Sequence, residues 1–127
     1  MSVIKLQYSL LCKLDEKNSF INIIHGFEPG KNKNFYVINK WLWDETGEDH
    51  KSIPEEGYHQ ITSIIRGDTV LANTKSERFR LKLAHTHHNY FQNIEFRQGL
   101  DYRIKVELFY EGKKYQGASI DYPLFIR

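Results

Sequence analysis

From Tyr102 to Tyr110 the side chains alternate. Tyr102, Ile104, Val106 and Leu108 fall on one side, and Arg103, Lys105 and Glu107 on the other. A period of two gathers apolar groups on one face only in an extended strand, because a helix would scatter them around its axis. The same period runs through Ile4–Leu14, where the even positions are apolar and most odd ones polar. It recurs in Glu77–Ala84, where Phe79, Leu81 and Leu83 oppose Arg78, Arg80 and Lys82. Turn chemistry separates these runs: Asp15-Glu16-Lys17-Asn18, Arg66-Gly67-Asp68, Arg97-Gln98-Gly99 and Glu111-Gly112-Lys113-Lys114. No segment carries helical periodicity. Composition agrees, with three alanines against thirteen isoleucines and eighteen aromatics, since alanine favours helices and the others a pleated surface. The expected fold is all-β: one antiparallel β-sandwich domain over residues 1–127, with eight or nine strands. That length supports a core without a disulfide or a metal.

The remaining segments are assigned on the same grounds. Ser19–Phe27 reads as a second strand in a hairpin with the first, and Glu28–Asn34 as a loop. Phe35–Trp43 is apolar on both faces, with Phe35, Val37, Trp41 and Trp43 on one and Tyr36, Ile38 and Leu42 on the other. Such a strand is either central and capped or meets a partner. Asp44–Gly57 is a polar stretch with six carboxylates and one lysine. Tyr58–Ile65 and Thr69–Ala72 form a hairpin about Gly67-Asp68, so Arg66-Gly67-Asp68 reads as turn chemistry rather than an adhesion motif. His85–Asn89 reads as a connection and Tyr90–Phe96 as a short strand. Tyr115–Ile126 closes the chain as an edge strand broken by Pro123.

Charge and cysteine content narrow the function. Eighteen basic residues against sixteen acidic ones leave a net charge of +2, too balanced for a dedicated nucleic-acid binder. The single cysteine, Cys12, forms no internal disulfide and fits a reducing compartment; its even position makes it a small buried hydrophobe. The opening residues Met1-Ser2-Val3-Ile4-Lys5 lack a secretory pattern, and no run approaches the roughly 20 apolar residues of a membrane span, so the expected location is cytoplasmic. Twelve lysines to six arginines, with many isoleucines and asparagines, suggest a low-GC bacterium or its phage as source. No G-x-S-x-G elbow, P-loop or dinucleotide fingerprint is present, and the chain is expected not to be an enzyme.

These exclusions favour binding, with another protein as the partner and no cofactor or metal. The partner-binding candidates are Tyr36, Ile38, Trp41, Leu42 and Trp43 as apolar anchors, with Asp44, Glu45, Glu48 and Asp49 to select a basic surface. At least one of the two tryptophans is expected in the core. A homodimer is compatible with this reading, and a phage source would make a host-directed inhibitor or a minor virion component of it. Two alternatives use other residues. A carbohydrate-binding module would present Trp41, Trp43, Tyr36, Tyr110 and Tyr115. A metal-dependent hydrolase would use His85 and His87, which share a face at i and i+2, completed by His50, His59 or a carboxylate. Two basic stripes, Arg78-Arg80-Lys82 and Arg103-Lys105, would attract an anionic partner only if they lay together.

Several motifs resemble a family of small, uncharacterised immunoglobulin-like β-sandwich proteins of bacteria and their phages. They are the D-x-x-x-S turn Asp15–Ser19, Pro29 ahead of Phe35-Tyr36-Val37, the series Phe96, Gly99, Tyr102, and the closing Pro123-Leu124-Phe125-Ile126. Gly99–Tyr102 is similar to the tyrosine corner of such folds, with G-x-x-Y in place of G-x-Y. The resemblance implies the sandwich and no catalytic residue.

Overall fold

The computed structural model describes residues 4–13, 22–43, 56–81, 84–115 and 119–127. In chain order the strands are β1 (Ile4–Lys13), β2 (Asn22–Ile23), β3 (Gly30–Trp43), β4 (Tyr58–Arg66), β5 (Thr69–Lys75), β6 (Ala84–Phe96), β7 (Tyr102–Tyr110), β8 (Lys113–Lys114) and β9 (Ile120–Leu124). They form two sheets with antiparallel ladders. The first has the order β2-β1-β3-β6; in the second, β5-β4-β7 is followed by β8 and β9, which both pair with β7. One core lies between them. Phe35, Val37, Trp41, Phe91 and Phe96 come from the first sheet, and Tyr58, Ile64, Ile104, Val106 and Leu108 from the second.

The alternation of β7 is realised as read: Tyr102, Ile104, Val106 and Leu108 are buried, while Arg103 is exposed. The hairpin β4–β5 turns at Gly67-Asp68, with Arg66 opposite Thr69 and Gly67 at φ 58°. Glu111 and Gly112 turn β7 into β8, at φ 49° and 82°, the left-handed pair that suits a tight hairpin.

Several expected boundaries and faces move, each for a local reason. In β1 the register slips between Leu6 and Tyr8 against β3, so Gln7 is the extra residue of a bulge. Ile4 and Leu6 face the core before it, and Ser9 and Leu11 after it. Cys12 is therefore on the outer face, opposite Tyr36, although only 2% exposed. The loop Glu28–Asn34 is mostly strand. Its asparagines take up the irregularities: Asn32 and Asn93 both adopt φ 58°, and the Asn34 side chain accepts the Asn93 N–H at 2.9 Å. Of the expected second strand Ser19–Phe27, residues 19–21 lie outside the described residues; Asn22–Ile23 pair with β1, and a parallel bridge joins Phe27 to Ile126. Within Glu77–Ala84, residues 77–81 prolong the β5 edge along β4 rather than forming a strand of their own. Ser76 N–H donates to Gln60 O at 2.9 Å and Phe79 N–H to Tyr58 O at 2.7 Å. Two residues there span one of β4, a bulge that leaves Glu77 and Arg78 exposed. The histidine segment 85–89 then opens β6 instead of connecting strands.

The centre of the core is polar. Asn39 on β3 points inward between Val37 and Trp41, and its Nδ2 donates to Gln60 Oε1 at 3.2 Å and Thr62 Oγ1 at 2.9 Å on β4. Trp41 Nε1 donates to the same Gln60 oxygen at 2.7 Å. Gln60 Nε2 donates to Asn89 Oδ1 at 3.2 Å, which also accepts Thr74 Oγ1 at 2.9 Å. Asn89 Nδ2 closes on Val37 O at 2.9 Å. On the other flank Ser9 Oγ donates to Asn39 Oδ1 at 2.7 Å. That uses the only hydroxyl hydrogen of Ser9, so the Tyr122 hydroxyl donates the second 2.7 Å bond to Ser9. Burial raises the Tyr122 phenol above its ordinary pKa. Removing Gln60 takes the acceptor from Trp41 Nε1 and one of two bonds each from Asn39 Nδ2 and Asn89 Oδ1. Gln60→Ala is expected to lower unfolding stability by about 2–4 kcal/mol, from buried groups left unpaired at about 1–3 kcal/mol each and partly relaxed. Urea unfolding followed by tryptophan fluorescence checks it, and a loss within about 0.5 kcal/mol, typical of a surface change, would contradict the network's role.

Candidate functional site

From Phe35 onward the register assigns the residues of β3 to its two faces. The odd residues Phe35, Val37, Asn39 and Trp41 face the second sheet. The even residues Tyr36, Ile38, Lys40 and Leu42 face away from it. Trp41 is completely buried and hydrogen-bonded to Gln60, so the expectation that it anchors a partner is corrected. Trp43 lies on the same inner side, half-buried against the core, with its buried Nε1 unbonded among the described residues. The tryptophans thus leave the candidate surface, for one reason: they share parity with Asn39, which the polar network holds inward. Tyr36, Ile38 and Leu42 remain on the outer face, where Tyr36 and Leu42 are half-buried and Ile38 is buried. Asp44, Glu45, Glu48 and Asp49 lie outside the described residues.

The outer face of the first sheet is built in rows across β1, β3 and β6. Cys12, Tyr36 and Tyr90 form one row, with Ile23 of β2 beside Cys12; Leu10, Ile38 and His88 form the next. The Tyr36 and Tyr90 rings sit 4.7 Å apart at 38°. Ile23 is 53% exposed and Tyr90 45%. Beyond Ile38 the row Tyr8, Lys40, Thr86 is more polar, so the apolar part is confined to the Tyr36 end. Isolated apolar residues on a surface are ordinary, but a contiguous cluster on one sheet face is a feature of interaction surfaces. Cys12 sits within this cluster, and burial pushes its thiol above the usual range, which disfavours the thiolate. Sequence reading missed Ile23 and Tyr90, because the rows that add them depend on which strands neighbour β3.

His85 and His87 do share a face, the inner one, opposite Trp41 and Asn39. Their surroundings are aromatic. Phe79 stacks on His85 at 4.0 Å and 3°, and His85 on His87 at 5.8 Å. Among the described residues no group of three or more His, Cys, Asp or Glu is placed to hold a metal. His59 is on the outer face of β4, stacked on Phe109 at 5.1 Å, and His50 lies outside the described residues. The basic stripes do not merge either. Arg78 faces Glu111 at 3.5 Å, Arg80 faces Glu56 at 4.0 Å, and Arg103 faces Asp121 at 3.2 Å, so carboxylates interleave with the cations. The Lys82 side chain lies outside the described residues.

Burial lowers the pKa of both stacked histidines, His85 further through His87 and His87 through His88. The folded state therefore binds fewer protons than the unfolded chain below the ordinary histidine pKa. Their contribution to stability is complete above about pH 6.5 and is lost as pH falls through their lowered values. His85→Phe keeps the stack and removes a buried Nε2 that has no partner among the described residues. This variant is expected to match or exceed the parent chain near pH 7 and to lose less stability between about pH 7 and pH 5. Urea midpoints at the two pH values test it; equal acid losses in both proteins would refute the assignment.

No protein-family model matches the chain, and no curated protein matches it.

Proposed function

We propose that this chain is a non-catalytic, immunoglobulin-like β-sandwich that binds another protein through the outer face of its first sheet. One observation carries the reading. On the outer face of the first sheet the exposed Ile23 and Tyr90 and the half-buried Tyr36 and Leu10 form an apolar cluster over the buried Ile38 and Cys12, with two packed tyrosines. Tyrosine suits such a role because it offers a large apolar area, a polar tip and little rotamer entropy to lose.

Two features support the immunoglobulin-like part. The order β1-β3-β6 in one sheet and β5-β4-β7-β9 in the other follows the A-B-E and C′-C-F-G arrangement of such domains. Tyr102, at the start of β7, accepts the Arg97 backbone N–H on its hydroxyl at 2.9 Å, the bond of a tyrosine corner. A reducing, cytoplasmic setting is part of the same reading, since Cys12 is buried and free. No helix of the described residues is long and apolar enough to cross a membrane.

The double variant Tyr36→Ser/Tyr90→Ser tests the proposal. Both changes lie outside the core, so the fold is expected to persist by circular dichroism. Affinity for a captured partner is expected to fall at least about 30-fold, the loss of about 2 kcal/mol that marks an interface hot spot. If the captured partner, or self-association seen by size-exclusion chromatography, is unchanged in this variant, the face is not the binding surface.

A further inference from the structure

We propose that a groove at the head of β4, on the second sheet, is a binding site for a neutral oligosaccharide. The groove is open to solvent and offers about 630 Å³. Arg78, Arg80, Glu56 and Glu111 line it, with Phe79 and Tyr110 as its aromatic members. That volume falls within the range of small-molecule sites, roughly 300–1,000 Å³.

The groove is formed by backbone that the fold fixes. Phe79 is tied to Tyr58 through both backbone groups, at 2.7 and 3.3 Å. Glu111 N–H donates to Gly57 O at 3.2 Å. Gly57 at φ 95° and Glu111 at φ 49° both occupy the left-handed region. A side chain at Gly57 would collide with Glu111 Oε1 and come within 3.3 Å of Tyr110 Cε2. Glycine there lets the Glu111 carboxylate and the Tyr110 ring edge both approach the Gly57 backbone. The aromatic residues are held from behind, Tyr110 by Tyr58 at 5.2 Å and Phe79 by His85 at 4.0 Å.

The chemistry of the lining selects the ligand class. Two guanidinium groups and two carboxylates cancel, so the groove does not concentrate phosphate or sulfate, which would meet Glu56 and Glu111 as well as the arginines. A purely apolar ligand would have to strip water from four charges. A sugar satisfies both constraints. Its C–H face packs on an aromatic ring, and adjacent hydroxyls match the paired donors of a guanidinium and the paired acceptors of a carboxylate. The existing ion pairs are long, at 3.5 and 4.0 Å, and their arginine side chains are 69% and 58% exposed. Exposed pairs of this kind stabilise little, so exchanging them for ligand hydroxyls costs little.

The test is a ¹H–¹⁵N spectrum titrated with neutral gluco-, xylo-, galacto- and N-acetylglucosamine oligosaccharides, with a sulfated oligosaccharide and inorganic phosphate as anionic controls. A neutral saccharide is expected to move the amides of Gly57, Phe79, Tyr110 and Glu111 and to leave those of Tyr36 and Tyr90 unmoved. Arg78→Ala/Arg80→Ala and, separately, Glu111→Gln should each weaken it about tenfold or more, the loss expected for a charge-assisted hydrogen bond. The second variant retains the shape of the side chain and guards against a folding defect in the first. Silence from every neutral saccharide overturns the proposal. So does a stronger response to the anionic controls, or a response that maps to the Tyr36 face or survives both variants.

Discussion

The hydrogen bonds from Asn39 and Trp41 to Gln60 and Thr62 fix this molecule's layers to one another. Apolar packing alone tolerates sliding, because one methyl group replaces another at small cost. An amide does not. Gln60 Oε1 accepts from both Asn39 and Trp41, and Asn89 Oδ1 accepts from both Gln60 and Thr74. A shift of either sheet by one residue would strand these groups in a low-dielectric interior, at about 1–3 kcal/mol each. The network therefore contributes uniqueness more than net stability, since each bond replaces one that water would have made.

Fixing Asn39 inward also settles what is left outside. Side-chain direction alternates along β3, so Trp41 and Val37 must share the inner side, and Tyr36 and Ile38 the outer. The bulge at Gln7 matters for the same reason. Without it, the parity of Ile4 and Leu6 would carry Ser9 outward and Cys12 inward, and the bond from Ser9 to Asn39 could not form. The apolar cluster around Tyr36 thus follows from a polar requirement on the opposite face of the same strand.

How much of this a reader finds in the sequence depends on the range of the information. β7 is legible because each of its inner residues is apolar and its neighbours are charged, so the pattern needs no context. β1 is legible as a strand but not in its facing, because the bulge at Gln7 is a property of its pairing with β3. The histidine segment was read as a connection because His85, Thr86, His87 and His88 are polar. Its place in β6 comes from pairing with Trp41, Asn39 and Ile38, and its inner histidines are accommodated by stacking on Phe79. The network left one trace: Asn39 and Gln60 interrupt the inner parity of strands that are otherwise apolar there. A polar residue at a core position of a central strand signals a buried partner, but does not say which one. Of the candidate surface, Tyr36, Ile38 and Leu42 were legible from the two-faced pattern. That at least one tryptophan is core was legible, but not that Trp41 is the one, since size and aromaticity mark interface and core alike.

The same register separates the apolar cluster from the charged groove. Asn39 lies across from Gln60 and Thr62, so the start of β4, where Tyr58 and Gly57 sit, is level with the Trp41–Trp43 end of β3. Tyr36 lies toward the other end of β3 and on the far side of the first sheet. The groove lies at the end of the second sheet, where Phe79 and Tyr110 pack against the core, whereas Tyr36 and Tyr90 lie on the outer face of the first sheet. A ligand in the groove and a protein on the apolar face would not compete for space. Influence of one on the other would pass through the polar network or through the stack of Phe79 on His85, both of them between the sheets. A network with each amide oxygen already committed has little freedom to rearrange. The two surfaces should therefore act independently, with the core serving as a rigid support rather than a switch.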